Sequence, residues 1–321
     1  MENERKSLRW GVMLIAWAAV LRLLASGLPE IILRGITGEQ AVAVLFYLEN
    51  GRVARPAVPE TTPRETTSPV TQAEEKTTLL TAEDAQLVSL RNNTELEPDV
   101  AQLMLEAEFP SLAGGEPTVL IVHSHGSESY LAQAGYTESS PYRTHDRDHN
   151  MVSIGEALAV KLRSQGIGVI HDTTMHDVPD YNGAYANSRS AIGKYLEAYP
   201  SIRLVLDLHR DASSNDAHQL TTHARVDGED SAQLMLVIGT SHDGWQRNMS
   251  CAVQLHALLE KTWPGLCRSI DFRTGRFNQD MGPVTILVEV GAAGDTRQEA
   301  LIAVDALGET IAKLSTEDST K

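Results

Sequence analysis

Residues 119–130 read VLIVHSHGSESY. An unbroken apolar run, Val119 to Val122, stops at two histidines, three serines and a glutamate. Such a run predicts a strand buried on both faces. In open α/β sheets, strands of this kind deliver polar groups at their C-terminal ends, where sites form. The fold is decided by what surrounds this strand and by what else meets its polar end.

Outward from it, apolar runs of strand length recur at 167–171, 202–208, 234–239 and 284–290, alongside 118–122 itself. Helical patterns lie between them. Asn150 is an N-cap for a helix with Met151, Ile154, Leu158 and Leu162 on one face, and Gly166 ends it. Further helices are predicted over 184–198 and 245–261. A last one opens on the capping box Thr296-Arg-Gln-Glu299 and carries Leu301, Val304, Leu307, Ile311 and Leu314. Near-continuous apolar strands alternating with helices predict an α/β domain: a mostly parallel twisted sheet with helices on both faces. Residues 211–233 show no crossover helix and read as a hairpin or a lid.

This domain is expected to span 87–321. Before it, residues 52–81 contain four prolines and eight threonines and almost no large apolar groups, so 31–86 is expected to hold a flexible linker, with an amphipathic stretch at 31–48. Residues 1–30 carry Arg5, Lys6 and Arg9 ahead of the apolar run 10–21, then Arg22, which is the pattern of an export signal or membrane anchor. A single-pass anchor would put the globular domain on the extracytoplasmic side. The formal charge of −16, from 43 acidic and 27 basic residues, argues against a nucleic-acid partner. Cys251 and Cys267 are too few for a metal framework and read as packing residues, with pairing left open.

Polar groups gather at the predicted strand ends. The first carries His123, His125 and Glu128, the second His171 and Asp172, the third Asp207, His209, Arg210 and Asp211. The last carries Glu289 between Val288 and Val290, just after the polar segment GRFNQD at 275–280. Histidines and carboxylates converging on one rim are the donor set of a catalytic zinc, which takes three N/O ligands and leaves a position open. A glutamate in an apolar strand has its pKa raised by burial and can take a proton from water. Each group also has a plainer reading: a satisfied rim histidine, a salt-bridged turn, or a carboxylate paired with Arg210 or Arg276.

VLIVHSHGSESY is followed by NMVSIGEALAVKLRSQGIGVIHDTTMHD (150–177), YLEAYPSIRLVLDLHRDA (195–212) and GRFNQDMGPVTILVEVGAAGDT (275–296). Together and in this order, over about 88–312, they resemble the stage II sporulation protein P family, which is related to zinc-dependent N-acetylmuramoyl-L-alanine amidases. The resemblance implies a peptidoglycan hydrolase of spore engulfment that cuts the amide between muramic acid and L-alanine, with action on stem-peptide cross-links also attributed to the family. It implies zinc held by His125, Glu128 and His209, with Asp146 or Asp148 as alternatives to Glu128. It implies Glu289 as the proton-transferring residue. Arg210, beside His209, is a candidate aid to the oxyanion, and Arg276 and Asn278, in the loop before the last strand, are candidates for holding the glycan or stem peptide. His123 would orient the site. A lytic transglycosylase, stage II sporulation protein D, is implied as partner. The competing reading is a non-catalytic wall-binding or scaffold protein on the same fold. A peptidase of another zinc class is disfavoured by the absence of HExxH.

Overall fold

The structure is a computed structural model and describes residues 79–106, 109–131, 138–213 and 219–316. The expected anchor, the amphipathic stretch 31–48 and the linker up to residue 78 lie outside the described residues. No helix among the described residues is long and apolar enough to cross a membrane.

In chain order the elements are β1 (Leu90–Asn93), α1 (Val100–Glu106), β2 (Pro117–Val122), α2 (Met151–Ser164), β3 (Gly168–His171) and α3 (Ala184–Ala198). Then come β4 (Leu204–Asp211), β5 (Ala224–Val226), β6 (Glu229–Ser231), β7 (Leu234–Gly239), α4 (Trp245–Thr262), β8 (Ile270–Arg273), β9 (Val284–Ala292) and α5 (Arg297–Thr316). Seven strands form one sheet in the order β1-β8-β7-β9-β4-β2-β3. Every neighbouring pair is parallel except β7 with β9. The sheet is therefore mostly parallel, as expected, with one reversal. On one side of it β9, β4, β2 and β3 end at a common rim, and β7 and β8 start at that same rim.

Within the segment 211–233, the described residues 219–233 hold a hairpin: β5 and β6 pair antiparallel around Asp227 and Gly228, both at positive φ. An Asp-Gly pair suits a two-residue hairpin turn because both central positions need the left-handed region.

The two faces are covered differently. On one, Val119, Ile121, Leu204, Leu206, Ile286, Val288, Leu234 and Leu236 pack against Ile154, Leu158 and Leu162 of α2, Val253 of α4, and Val304, Leu307 and Ile311 of α5. The caps act as expected. Asn150 accepts from the Val152 N–H, and Thr296 and Glu299 bond reciprocally. On the other face, among the described helices, only α3 docks, its Ile192 against Leu120, Val122 and Val205. Beyond β4 that second face carries a small cluster of Met235, Val237 and Leu287 under Phe277. Among the described residues no helix covers it there.

The approach of α2 depends on Gly155. A Cβ at this position would lie 2.4 Å from His123 Nε2 and 2.6 Å from His171 Nε2. These two buried imidazoles form a hydrogen bond of 2.9 Å beneath the helix, and His171 Nδ1 pairs with Glu156 Oε2 at 3.0 Å. In an exposed helix Gly→Ala stabilises by about 1 kcal/mol. Gly155→Ala is expected to reverse that sign and cost about 2 kcal/mol through overpacking, read as a lower urea midpoint at unchanged slope.

Candidate metal centre

The polar end of VLIVHSHGSESY is bound into the neighbouring elements. Ser124 donates from its N–H to Asp207 Oδ1 (2.8 Å) and from its hydroxyl to Oδ2 (2.6 Å), tying the turn to β4. The Ser127 hydroxyl donates to Asp177, and the Tyr130 hydroxyl to the Val290 carbonyl at the end of β9 (2.7 Å). The turn is thereby fixed to β4, β9 and the segment after β3, and His125 and Glu128 are held rigidly between them.

His125, Glu128 and His209 meet. Each offers one ligand atom, and the three atoms lie within 4.8 Å of one another. His209 Nδ1 is 3.5 Å from Glu128 Oε2, and His125 Nδ1 is 3.8 Å from Oε1. His209 comes from β4, the other two from the turn after β2. The alternative ligands stand apart from the group: Asp146 pairs with His149 at 2.9 Å and caps the Asp148 N–H.

Glu289 stands beside this trio because β9 pairs with β4 in a register that puts Glu289 opposite His209. Its Oε2 is buried with no hydrogen-bond partner among the described residues. Burial pushes its pKa up to about 8, and the nearby Glu128 and Asp211 carboxylates act in the same direction.

The neighbouring charges differ in sign. Burial works against a charge on His209, but Asp207, whose Oδ1 is 3.0 Å from Nε2, and Glu128 outweigh it and raise His209 well above the ordinary histidine range. Burial likewise opposes the Glu128 carboxylate, while Arg210, His209 and His125 hold it well below the usual range. His125 is lowered, chiefly by burial. His123 is also fully buried and is pushed down to about 3 by burial and by His171.

Several expected residues take other places. Arg210 is buried with its guanidinium spent on the fold: Nε donates to the Ser129 carbonyl (2.9 Å), Nη2 to the Tyr142 carbonyl (2.8 Å), and Nη1 lies 3.6 Å from Glu128. In these contacts it holds Glu128 and the 129–142 backbone in place. Asn278 is buried, and its amide donates to the Tyr185 carbonyl and the Ser188 hydroxyl at 3.0 Å each, which anchors α3. Arg276 is exposed, 4.0 Å from Asp280. His123 touches no member of the trio; its Nδ1 meets the Leu208 carbonyl at 3.2 Å and braces the strand ahead of His209. His171 and Asp172 do not join the site, since Asp172 pairs with His176. Cys251 and Cys267 are both free.

Asp207, already marked at the end of the third strand, lies two residues before His209, so period-two alternation puts both on one face. Three further residues were not singled out from the sequence. Tyr181 stacks on His125 with ring centroids 4.5 Å apart, and Tyr185 lies 6.2 Å from His209. Arg143 sits 4.4 Å over the Tyr181 ring and pairs with Asp177 at 3.0 Å. Nothing in the local sequence pattern marks these last three, because they reach the site from loops and helix starts that only the tertiary fold brings close.

A family model described as stage II sporulation protein P matches residues 40–312. The stage II sporulation protein P of Bacillus subtilis (strain 168) is 26% identical over 214 residues, 63% of this chain and 52% of that protein. The chain thus spans about half the length of this curated relative. Similar solved structures include the N-acetylmuramoyl-L-alanine amidase AmiC2 of Nostoc punctiforme, 16% identical with a TM-score of 0.39, covering 63% of this chain and 98% of that one. The N-acetylmuramoyl-L-alanine amidase from Clostridium difficile 630 is 17% identical with a TM-score of 0.39, covering 63% and 95%.

Proposed function

The chain belongs to the stage II sporulation protein P family, and from that premise we propose that it is a zinc-dependent N-acetylmuramoyl-L-alanine amidase acting on peptidoglycan during spore engulfment. In this reading residues 1–30 anchor it in the membrane, 31–86 tether it, and 87–321 are the catalytic domain on the extracytoplasmic side. A lytic transglycosylase, stage II sporulation protein D, opens the glycan alongside it.

The observation that carries the reading is the trio His125, Glu128 and His209, within 4.8 Å, beside the buried carboxyl of Glu289. Two imidazoles and a carboxylate are the donor set of a hydrolytic zinc site. When bound, zinc supplies Lewis acidity, making water nucleophilic near neutral pH and polarising the amide carbonyl. The chain's own residues do the rest. Glu289 Oε2, free of competing hydrogen bonds within the described residues, takes a proton from water and returns it to the leaving amine. Arg210 and Arg143 keep Glu128 ionised and in place. Asp207 Oδ1, 3.0 Å from His209 Nε2, places a negative charge behind that ring, as carboxylates behind histidine ligands do. Tyr181 and Tyr185 wall the site on one side.

Asp207→Asn keeps the shape and removes the charge behind His209. It is expected to weaken zinc binding about tenfold to a hundredfold, measured by competition with a chromophoric chelator, with the circular dichroism unchanged. The reading itself is tested by metal analysis of the full chain and mass spectrometry of peptidoglycan fragments with and without chelator. Release of intact stem peptides, lost on chelation and restored by zinc, supports it. Cross-link cleavage alone would make the enzyme an endopeptidase. Binding without cleavage would leave a wall-binding scaffold.

A further inference from the structure

Amide hydrolysis puts negative charge on the former carbonyl oxygen, and a site that lowers this barrier aims a hydrogen-bond donor at that oxygen. Most donors around the trio are bonded within the fold. Arg210 gives Nε and Nη2 to the Ser129 and Tyr142 carbonyls, and Asn278 gives its amide to Tyr185 and Ser188. The Ser124 and Ser127 hydroxyls go to Asp207 and Asp177. Ser129 Oγ has no partner among the described residues, but it is wholly buried. Tyr185 is different. Its carbonyl accepts from Asn278 at 3.0 Å, while its hydroxyl bonds to no described residue, and the residue is only half-buried.

Tyr185 is the second residue of α3. Val205, Asp207 and His209 alternate onto the sheet face that α3 covers, so the start of the helix overlooks His209. Three rings hold the phenol there. His209 lies nearly parallel to it, at 6.2 Å and 16°, His125 meets it edge-on at 5.4 Å, and Phe277 leans on it at 6.0 Å. The phenol lies in the field of His209, Asp207, Glu289 and Glu128, the polar members of the site. Glu289 reaches His209 from the neighbouring strand β9. A proton acceptor and an uncommitted donor thus border His209 from two different elements.

We infer that Tyr185 is a catalytic residue whose hydroxyl donates a hydrogen bond to the carbonyl oxygen of the bond that is cut, a bond that strengthens as this oxygen becomes negative. The inference rests on the hydrolase reading above and adds to it a donor for the developing charge. A phenol keeps its proton at neutral pH and donates without transferring it, which leaves the proton traffic to Glu289.

Tyr185→Phe deletes the hydroxyl and keeps the three ring contacts, so zinc content and the urea midpoint of the full chain are expected to match the wild type. Hydrolysis of a soluble N-acetylmuramoyl peptide is expected to lose about 10²- to 10³-fold in kcat with KM little changed, the cost of one oxyanion donor. Calorimetry adds a readout that needs no turnover. A phosphinate analogue, tetrahedral and anionic where the amide carbonyl would be, should bind the variant about tenfold to a hundredfold more weakly. The metal-free forms of both proteins should bind the intact peptide alike. A ring that only walls the site predicts that phenylalanine works as well as tyrosine, so equal kcat or equal phosphinate affinity overturns the donor. A loss carried by KM alone would make Tyr185 a ground-state contact and overturns it too. The amidase reading fails separately: if the wild type cuts a cross-link instead, the same kcat comparison on that bond judges Tyr185. If the wild type cuts nothing, a tenfold phosphinate ratio keeps the donor, and a ratio of one or no binding removes it.

Discussion

Glu289→Gln is expected to lower peptidoglycan hydrolysis about 10²- to 10⁴-fold, the span that a positioned proton-transfer group contributes, while zinc content stays unchanged. The same substitution should alter stability in a pH-dependent way in the metal-free protein. The Glu289 carboxyl goes from an ordinary value of 4.5 to about 8 on burial. Between those values the folded chain holds a proton that the unfolded chain has released, so folding becomes costlier as pH rises. Glutamine does not titrate and escapes this cost. Relative to its effect at pH 4, the variant should therefore gain on the order of 2–3 kcal/mol at pH 7, measured by urea unfolding at the two pH values. Hydrolysis at the wild-type rate would remove Glu289 from the chemistry. A stability difference independent of pH would show that its carboxyl is hydrated in the folded chain.

Zinc uptake at neutral pH is expected to release about one proton from His209, since Asp207 and Glu128 keep that ring protonated in the metal-free protein and a ligand imidazole must be neutral. Apparent affinity should rise about tenfold per pH unit until the raised pKa of His209 is passed, then level off. Calorimetry in buffers of different ionisation enthalpy counts the proton, and an affinity flat between pH 5 and 8 would contradict the assignment. Without metal, the His209 contribution to stability is complete below the ordinary histidine value and fades as pH rises through the raised one. Glu128 behaves oppositely, contributing above its ordinary value and failing as pH falls through its lowered one. Metal binding should support the alkaline side, where the metal-free protein loses the stabilisation by charged His209.

The sequence pattern located the site better than it located the sheet. The runs at 118–122 and 234–239 are strands almost to the residue, because each is apolar throughout and bounded by polar turns. β4 begins later than its apolar run and continues through His209 and Arg210 to Asp211. His209 and Arg210 are buried there because charged partners meet them across the rim, which hydropathy does not register. β1 (LRNN) and β8 (IDFR) escape a periodicity reading for the same reason: their polar members, Arg91, Asn93, Asp271 and Arg273, satisfy one another across the pair. The reversal of β7 is invisible in composition, since a buried strand reads alike in either direction. His125, Glu128, His209 and Glu289 were all legible as strand-end residues. His171 looked equally good, yet it faces α2 under Gly155 and leaves the site to the others.

The reversal of β7 brings strand starts to a rim that is otherwise made of strand finishes. The groups proposed for bond cleavage sit where β2, β4 and β9 finish, so altering them alters the sheet itself. The lead-ins that arrive there are tied to the same strands: the Leu234 N–H donates to the Leu266 carbonyl, the Arg268 N–H to the Leu234 carbonyl and the Gly291 N–H to the Gln233 carbonyl. Residues 232–234 and 266–268 are thus splints for the end of β9, and an insertion in either would move Glu289 although neither touches it in sequence.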